Sequence, residues 1–542
     1  MSKPWFAQYD AWVPTTIDAD KYKNVVEMLL QAGERFADNV AFSSFGATKT
    51  YAEVLSLSRD FAAYLQNEIG IRKGDRVALM APNMMAFPVA MIGILRAGGV
   101  QVNVNPMYTP RELEHQLTDA DVDTIVVFSG STGTLAEVIE NTSIKNVIVA
   151  ELDDLLDLGL PSPPVDERLQ APVAFLDAIA AGADMEFVAV DIEGDDLIYL
   201  QYTGGTTGLS KGAMLTHRNL VANIVQFECV AGDYIKFGED VVVTAIPMYH
   251  IFALMVNTLS YFKFGATNVM ITDPRDMPAF VEEWSKWKVS VFTGVNTLYN
   301  GLLHTPGFAD LDFSALKICV GGGAPVQKAV SDKWKEVTGR HIKEGYGLSE
   351  TSPILTTNPF GMTEFLSSIG IPFPSTDISL RDDDGNEVAQ GEAGELCAKG
   401  PQIMKGYWRR DDETAECMTD DGYFRTGDIA TMDENGFFRI VDRKKDMILV
   451  SGFNVYPNEI EAEVAALAGV LECACIGVPD EKTGEAVKLF VVKSDDSLSA
   501  DAVTQYCRER LTGYKVPKQV VFLDELPKST VGKILRRELR NY

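Results

Sequence analysis

Residues 202–212 read Tyr-Thr-Gly-Gly-Thr-Thr-Gly-Leu-Ser-Lys-Gly and follow the largely apolar run 196–200 after one residue, Gln201. The stretch carries four glycines, four small hydroxyl side chains and one lysine. Glycines let backbone N–H groups approach phosphate oxygens, hydroxyls add donors that a metal also uses, and lysine neutralises negative charge. The stretch therefore predicts a loop that binds the phosphates of a nucleotide.

Two other motifs compete for the same residues. A Walker loop needs Gly-Lys followed by Ser or Thr, whereas Lys211 follows Ser210, so that motif fails. Residues 208–212 also fit the G-x-S-x-G elbow of serine hydrolases, which would make Ser210 a nucleophile. Such an elbow leads from a strand directly into a helix, but strand-like residues follow Gly212 and helix signals begin only near Arg218. A strand–loop–strand arrangement is preferred, and the serine hydrolase is the less favoured alternative.

Length and charge bound the class of protein. A chain of 542 residues predicts two or more domains. A net charge of −29 argues against nucleic acid as a partner and disfavours docking to anionic lipid. The first residues lack the apolar core of a signal peptide, and the longest apolar run, 84–95, is interrupted by Pro88 and too short to span a bilayer. We expect a cytoplasmic protein without a transmembrane segment; weak peripheral membrane association and a homodimer stay open.

The seven cysteines are an odd number and are dispersed among apolar neighbours. This pattern favours buried free thiols in a reducing compartment over a disulfide framework. Cys473 and Cys475 alternate with alanine and so share one face of a strand. Because no second pair lies near them, packing is preferred there over a metal site.

Helix-period segments alternate with short apolar runs through the first two hundred residues. Strands are predicted at 76–80, 100–104 and 124–128 and helices at 51–65 and 87–95, and the pattern returns at 241–271, 289–292 and 316–320. This alternation predicts a doubly wound α/β fold that collects ligands at strand ends. Beyond Gly370, Asp-Gly or Asn-Gly turns at 384–385, 421–422 and 435–436 predict a small antiparallel β unit.

A charged run, 442–446, is predicted to be the hinge between a large domain, 1–442, and a terminal domain, 443–542. The terminal segment predicts helices at 458–467 and 500–511 and strands at 473–478, 486–492 and 520–523. The predicted fold class is α/β. It combines a large N-terminal domain of doubly wound mixed sheets plus a small β unit with a small α+β C-terminal domain.

Seven motifs in order give the chain a wider resemblance. They are 202–212, 247–250, 321–325, 345–351, 423–428, 442–461 and 527–533. Together they resemble the adenylate-forming acyl-CoA synthetase superfamily over nearly the whole chain. In such enzymes a carboxylate attacks the α-phosphate of ATP, giving an acyl adenylate and pyrophosphate, and a thiol then displaces AMP. The resemblance implies a fatty acid, ATP and CoA as substrates and Mg²⁺ as the cofactor.

The resemblance also implies roles for individual residues. Lys533, Glu350 and His250 would be catalytic, Thr203 and Glu350 would hold the metal, Lys445 would be the hinge, and Gly452 would line the CoA tunnel. The phosphates would be held by Thr203, Gly204, Gly205, Thr206, Thr207, Gly208 and Lys211. The remaining ATP-binding residues would be Gly323, Ala324, Pro325, Glu344, Gly345, Tyr346, Gly347, Ser349, Thr351, Asp428 and Arg443. The acyl pocket would be lined by Tyr249, Phe252, Met255, Val295, Thr297, Val320 and Gly347.

Three positions separate branches of the superfamily. Segment 249–255 holds no acidic residue that could pair with an amino-acid ammonium, so amino acids are disfavoured as substrates. Gly347 stands where acetate-activating relatives carry tryptophan, which predicts an open pocket floor, and Leu449 replaces a lysine of luciferases. Segment 442–461 is most similar to bacterial medium- and long-chain fatty acyl-CoA synthetases. A 4-coumarate-type aryl-CoA ligase remains the alternative, and a non-catalytic nucleotide-binding module is disfavoured by the presence of Lys533.

Overall fold

The strands of the molecule belong to four sheets. The computed structural model describes residues 3–203, 210–451, 453–480, 482–529 and 532–542. Their strands in chain order are β1 Val40–Ser44, β2 Ala47–Thr50, β3 Arg76–Met80, β4 Val100–Asn103, β5 Thr124–Phe128, β6 Asn146–Ala150, β7 Val173–Ala174, β8 Leu197–Thr203, β9 Lys211–Thr216, β10 Val241–Thr244, β11 Thr267–Met270, β12 Val291–Gly294, β13 Ile318–Gly321, β14 Lys343–Gly347, β15 Ile354–Thr357, β16 Ile371–Pro372, β17 Asp377–Arg381, β18 Gly394–Lys399, β19 Gly406–Tyr407, β20 Phe424–Met432, β21 Phe438–Arg443, β22 Ile448–Val450, β23 Phe453–Val455, β24 Val470–Asp480, β25 Gly484–Lys493 and β26 Gln519–Leu523.

Helices fill the connections between these strands. The α-helices are α1 Val25–Arg35, α2 Tyr51–Tyr64, α3 Ala86–Arg96, α4 Pro110–Ala120, α5 Thr132–Val138, α6 Phe175–Ala183, α7 His217–Ala231, α8 Tyr261–Lys263, α9 Met277–Ser285, α10 Asn296–Leu303, α11 Lys328–Thr338, α12 Asp411–Glu416, α13 Pro457–Ala465, α14 Ala500–Arg510 and α15 Arg536–Leu539. Two π-helical segments are Leu65–Ile69 and Ala253–Ser260. Short 3₁₀ turns are Pro4–Gln8, Ser129–Ser131, Ile139–Asn141, Gly232–Tyr234, Phe308–Asp310, Ser349–Thr351 and Gly513–Lys515.

The first large sheet has the strand order β19-β9-β8-β4-β3-β5-β6-β7. Strands β8, β4, β3, β5, β6 and β7 run parallel, while β9 turns back antiparallel to β8. Both faces of a parallel sheet are covered, and accordingly almost every side chain of β3 to β5 is buried, including the polar Gln101 and Asn103 of β4. Helix α3, which holds most of the apolar stretch 84–95, is buried along nearly its whole length. Among the described residues, no helix is long and apolar enough to cross a membrane.

The second large sheet has the order β16-β15-β14-β13-β12-β10-β11-β1-β2. Its central strands β14, β13, β12, β10, β11 and β1 are parallel, and β15, β16 and β2 are antiparallel additions at the edges. The carboxyl ends of β10 and β13 lead into segments 247–250 and 322–325. Carboxyl ends of parallel strands share one edge of a sheet, so two of the sequence motifs lie on the same edge.

The predicted small β unit is a four-stranded antiparallel sheet in the order β17-β18-β20-β21. The turns at 384–385, 421–422 and 435–436 place Gly385, Gly422 and Gly436 at φ of 83°, 84° and 89°. These left-handed values explain why glycine follows Asp or Asn at each turn. The sheet sets Asp428 of β20 opposite Arg443 of β21.

The C-terminal segment forms a separate sheet, β23-β22-β25-β24, with β26 parallel to β25. Cys473 and Cys475 are buried on β24, and all seven cysteines are free. Both side chains belong to the apolar cluster of this segment, together with Ile460 and Leu489. Strand β21 ends at Arg443 and β22 begins at Ile448, and the domain boundary at 442/443 stays a prediction. The predicted fold class, with large mixed sheets, a small β unit and a small α+β domain, is confirmed.

Candidate nucleotide and acyl site

The two ends of the predicted phosphate loop are joined as a strand pair. Thr203, the last residue of β8, pairs with Lys211, the first of β9, and helix α7 begins only at His217. The described residues after Ser210 thus form a strand, as predicted, and not the helix that must directly follow a serine nucleophile at Ser210. Five predicted phosphate-binding residues lie outside the described residues, as does Gly452; the five are Gly204, Gly205, Thr206, Thr207 and Gly208.

Asp119 of α4 fixes the base of this hairpin. Its Oδ2 accepts a 2.7 Å hydrogen bond from the Tyr202 hydroxyl, and its carbonyl oxygen accepts from Trp408 Nε1 at 3.1 Å. Arg410 completes the set through a 2.8 Å ion pair with Asp119 Oδ1. Asp119 therefore connects the end of β8, from which the loop starts, to Trp408 and Arg410 in segment 404–417.

Lys211 and Glu350 both contact side chains of segment 404–417. The Lys211 ammonium is paired with the Glu413 carboxylate and lies 5.1 Å from the centre of the Tyr407 ring. The Tyr407 hydroxyl donates a 2.7 Å hydrogen bond to Glu350 Oε1. Sequence reasoning missed Tyr407 and Glu413, because both lie far from Lys211 along the chain and reach it through the pairing of β19 with β9.

Glu350 is buried in the 3₁₀ turn 349–351. Burial raises the pKa of its carboxyl, and the Tyr407 hydrogen bond opposes that shift. A carboxylate and the Thr203 hydroxyl are hard oxygen donors of the kind that suits Mg²⁺ held mainly by phosphates. Residues 3–203 and 210–451, with the described terminal segments, hold no group of three His, Cys, Asp or Glu side chains arranged so that they could bind a metal ion by themselves. The hydroxyl of Thr351 is engaged in its own turn, where it accepts from Leu348 N at 2.9 Å.

Asp428 is buried and both of its carboxylate oxygens have partners. Oδ2 accepts a 2.6 Å hydrogen bond from the Tyr346 hydroxyl, and Oδ1 lies 3.3 Å from Arg443 Nε. Burial, followed by the charge of Asp428, holds the pKa of the Tyr346 phenol well above its usual value. Three residues predicted to hold the nucleoside are therefore joined through Asp428 by one hydrogen bond and one ion pair.

The loop after β13 is fixed by Glu344. Its Oε1 accepts a 2.9 Å hydrogen bond from Val326 N, directly after the segment Gly323–Pro325. Burial raises the pKa of Glu344 to about 7. Gly323 adopts φ of 75°, a left-handed conformation that glycine tolerates best. Gly345 and Tyr346 follow Glu344 on β14, so the Glu344 hydrogen bond connects this strand to the loop after β13.

Charge effects on pKa connect Lys533 of the terminal domain with His250, Arg443 and Asp428. Burial, and next the Arg443 charge, lower the pKa of Lys533 to about 8. Burial, and next the charge of Lys533, lower the pKa of His250 to about 4, so its imidazole is neutral near pH 7. His250 Nδ1 accepts from Phe252 N at 3.3 Å. Two of the three predicted catalytic residues, Lys533 and His250, thus influence each other's environment, and their catalytic roles remain predictions.

The predicted acyl-pocket residues fall into two groups. Tyr249, Met255 and Val320 belong to one buried apolar cluster, against which Phe252 packs. Val295 belongs to a neighbouring cluster, and Thr297 Oγ1 lies 3.5 Å from the carbonyl oxygen of Gly532. Thr297 therefore lies beside the turn that carries Lys533.

The expectation of open space at Gly347 is wrong. A Cβ built on Gly347 would overlap the carbonyl oxygen of Pro353. The reason is the irregular pairing of β14 with β15, where Gly347 lies opposite Ile354 and the two backbones approach closely. Glycine is required there by the backbone of β15, so no side chain at 347 could project freely into a pocket.

Comparisons with known proteins identify the family of the chain. A family model described as AMP-binding enzyme matches residues 29–408, and one described as AMP-binding enzyme C-terminal domain matches 459–533. The long-chain-fatty-acid–CoA ligase of Yersinia pestis is 52% identical over 552 residues, covering 100% of this chain and 98% of the relative. The feruloyl-CoA synthase of an Amycolatopsis species is 36% identical, covering 91% of this chain and 94% of the relative.

A solved structure shows the same architecture. The ATP-bound crystal structure of MatB from Rhodopseudomonas palustris superimposes with a TM-score of 0.82 at 29% identity, covering 96% of this chain and 98% of that one. The family models span both parts of the chain, and the similarity to the Yersinia relative runs from end to end. The chain therefore belongs to the AMP-binding enzyme family.

Proposed function

We propose that this chain activates a medium- or long-chain fatty acid with ATP and transfers the acyl group to CoA, releasing AMP and pyrophosphate. The observation that carries the proposal is the contact of the residue before Lys533 with the large domain, where the Gly532 carbonyl oxygen lies 3.5 Å from Thr297 Oγ1. The charges of Arg443 and Asp428 act on Lys533, and the charge of Lys533 acts on His250. A cation from a terminal domain beside a nucleoside-binding group serves a reaction in which negative charge accumulates at a phosphate. The identity with long-chain-fatty-acid–CoA ligases over the full chain supports this substrate class.

The first half-reaction joins two anions. A carboxylate oxygen of the fatty acid attacks the α-phosphorus of ATP, and the bond to the pyrophosphate oxygen breaks. Catalysis of such a step is mostly positioning and neutralisation of charge. In the proposal Lys533 neutralises the α-phosphate, Lys211 contacts the outer phosphates, and neutral His250 donates a hydrogen bond to the acid.

The adenosine of ATP is held by the residues around Asp428. The carboxylate has two acceptor oxygens for the ribose hydroxyls, which would replace or share its present partners Tyr346 and Arg443. The Tyr346 ring and the Gly323–Pro325 loop would lie on the two faces of adenine. Glu350 and Thr203 would hold Mg²⁺, which when bound neutralises part of the phosphate charge.

The second half-reaction makes the thioester. The CoA sulfur attacks the acyl carbonyl carbon of the adenylate, and the mixed anhydride bond to AMP breaks. Lys533 covers the same region during the first step, so we propose that the terminal domain rotates about Lys445 between steps. Gly452 would then leave room for the pantetheine arm.

The acid is proposed to be aliphatic. Tyr249, Met255 and Val320 lie in an apolar cluster. Segment 249–255 contains no Asp or Glu, so the ammonium group of an amino-acid substrate would have no charged partner there. A 4-coumarate-type aryl acid is the second candidate, because the feruloyl-CoA synthase is also similar over most of its length. Free thiols throughout the chain support a reducing compartment, and we propose the cytoplasm.

A pyrophosphate-release assay tests this function. Acids from acetate to oleate, with 4-coumarate added, are supplied with ATP and Mg²⁺, and CoA is present or absent. We expect turnover with medium or long acids that requires CoA for multiple cycles. Preference for 4-coumarate would select the aryl ligase, and activity without any acid would contradict the proposal. Sedimentation at several concentrations and liposome pelleting would decide whether the enzyme is a homodimer and whether it associates with membranes.

A further inference from the structure

Arg536 lies three residues after Lys533 and begins α15, and its side chain is only 18% exposed. Its guanidinium donates to Glu461 Oε1 at 3.2 Å and Oε2 at 2.8 Å, and to Asn458 Oδ1 at 2.5 Å. Both partners belong to α13. A planar guanidinium suits such a set, because it presents several N–H donors in a fixed fork.

The same guanidinium also contacts residues 442–446, the predicted hinge, which is called the junction below. It lies 3.4 Å from Asp442 Oδ1 and 3.6 Å from Asp446 Oδ2. Asp442 is fully buried, and its Oδ2 accepts from Asn458 N at 2.9 Å. Glu461 Oε1 further accepts from Cys475 N at 2.7 Å. Arg536 therefore links the junction, α13 and, through Glu461, strand β24.

The turn that carries Lys533 is closed on itself. Ser529 N donates to Lys533 O at 2.7 Å, and Lys533 N donates to Ser529 Oγ at 3.1 Å. Leu535 N donates to Pro527 O at 2.8 Å, directly before Arg536. These hydrogen bonds connect Lys533 to Ser529 and Leu535 to Pro527, so the orientation of Lys533 depends on what holds the residues that flank it.

We propose that Arg536 is a positioning residue for Lys533: its charged hydrogen bonds to α13 and the junction fix the Lys533 turn where adenylation needs it. The inference rests on the proposed function of Lys533 in adenylation. Arg536 is surrounded by three carboxylates, those of Glu461, Asp442 and Asp446. A lysine at 536 would keep the charge, but its single ammonium cannot contact α13 and both junction carboxylates at once.

If Arg536 served only to stabilise the fold, its replacement would unfold the terminal domain. The terminal domain has its own apolar cluster around Ile460, Leu489 and Val503, which does not include Arg536. Ile534 and Leu539 pack into a second cluster with Phe490. Residues 534–539 are therefore held by apolar contacts as well as by the charged contacts of Arg536. Replacement of Arg536 should shift the Lys533 turn without unfolding the domain.

The test is a double-mutant cycle with Arg536→Lys and Lys533→Ala in the full chain. Each variant is measured in single turnover for acyl-AMP formation and, separately, for thioester formation from supplied acyl-AMP and CoA. Arg510→Lys on α14, whose ion pair with Glu509 is exposed, is the matched control. We expect Arg536→Lys to slow adenylation about tenfold, since small misplacements of reacting groups cost up to about a hundredfold. Thioester formation should stay within about twofold, because Lys533 takes no part in it.

The double variant is the decisive measurement. If Arg536 acts through Lys533, Arg536→Lys adds no further loss to Lys533→Ala. Multiplicative losses, or equal losses in both half-reactions, would overturn the inference and leave the function of Lys533 intact. If Lys533→Ala does not slow adenylation, the role of Lys533 in the proposed function fails as well. Should Arg536→Lys melt early, Asp442→Asn carries the same cycle, because it weakens the same link from the junction side.

Discussion

The phenolic oxygen of Tyr407 donates a 2.7 Å hydrogen bond to Oε1 of Glu350, and its ring lies 5.1 Å from the Lys211 ammonium. One side chain thus touches both the group assigned to the metal and the lysine assigned to the phosphates. A buried carboxylate needs such donors to remain charged and oriented. Tyr407 reaches this place because β19 pairs with β9, the strand that leaves the phosphate loop.

Tyr407→Phe removes that hydrogen bond and leaves the ring in place. A hydrogen bond to a charged group contributes about 1.5–3 kcal/mol, so we expect the KM for Mg·ATP to rise about tenfold. The KM for the fatty acid should change little. The measurement is a titration of Mg·ATP at saturating acid, with Tyr506→Phe on α14 as the control. An unchanged KM for Mg·ATP would remove Tyr407 from the site.

Asp428→Asn tests the nucleoside group. The amide keeps one acceptor oxygen but loses the charge that faces Arg443 and the second acceptor opposite Tyr346. Because charged hydrogen bonds contribute about 1.5–3 kcal/mol, we expect ATP to bind at least about tenfold more weakly. Calorimetry with a non-hydrolysable ATP analogue measures this directly, and Asp332→Asn on α11 is the control. Equal affinity in the variant and the parent would show that the ribose binds elsewhere.

The strands and helices were predictable because burial imposes a period on the sequence. Strands 76–80 and 124–128 match β3 and β5 to the residue. Predicted helix 500–511 is α14, Ala500–Arg510. These segments are apolar runs or amphipathic stretches bounded by polar residues or turns, so local sequence is sufficient.

Contacts between distant segments were not predictable in the same way. Tyr407 with Glu350, and Arg536 with Asp442, depend on strand pairing and domain packing that no local pattern encodes. At Gly347 the sequence was interpreted wrongly. Its lack of a side chain suggested a pocket, but the structure gives a backbone contact with Pro353 as the reason. A glycine in a sequence cannot by itself distinguish room for a ligand from room for another strand.

Lys533 should impose an alkaline limit on adenylation. Its pKa is lowered to about 8, and only the protonated form neutralises phosphate. Since the protonated fraction falls as pH rises through the pKa, kcat/KM for ATP should decline above about pH 8. Lys533→Arg should abolish this decline up to about pH 10, because arginine remains protonated.

A second titrating group provides the control for this profile. Burial raises the pKa of Glu344 to about 7, so it also changes charge near neutral pH. Glu344→Gln should alter any inflection near pH 7 and keep the decline above about pH 8. Persistence of the alkaline decline in Lys533→Arg would assign it to another group.

Gly347→Ala should destabilise the large domain rather than shorten the preferred acid. The new Cβ would overlap the Pro353 carbonyl oxygen, and the backbone of β14 or β15 must move. Overpacking of this kind costs about 1–3 kcal/mol. We expect a lower apparent melting temperature and a similar fractional loss of activity with short and long acids.

Gly345→Ala is the matched control on the same strand, because a Cβ there meets its nearest atoms at 3.6 and 3.7 Å, an ordinary contact distance. Its melting temperature should stay close to that of the parent. A selective loss of long acids in Gly347→Ala at an unchanged melting temperature would restore Gly347 to the acyl pocket.

Lys445→Pro addresses the proposed rotation between the two half-reactions. Lys445 lies in the turn in which Asp446 N donates to Arg443 O at 3.0 Å, between β21 and β22. Arg536 contacts Asp442 before this residue and Asp446 after it, so rotation about Lys445 would separate Asp442 from Arg536. Proline restricts φ at 445 and the conformation of Lys444, which should hold the domain as observed, with Lys533 at the site.

We expect Lys445→Pro to slow thioester formation more than about tenfold, whereas adenylation changes by less than about threefold, because only the second step needs the rotated domain. Lys445→Ala leaves φ free and should leave both steps near the parent rate. Single-turnover kinetics of acyl-AMP formation, and of thioester formation from supplied acyl-AMP, separate the steps. Loss of both steps together would mean that proline has distorted the turn itself. If Lys445→Pro leaves both rates unchanged, the domain pivots at another residue.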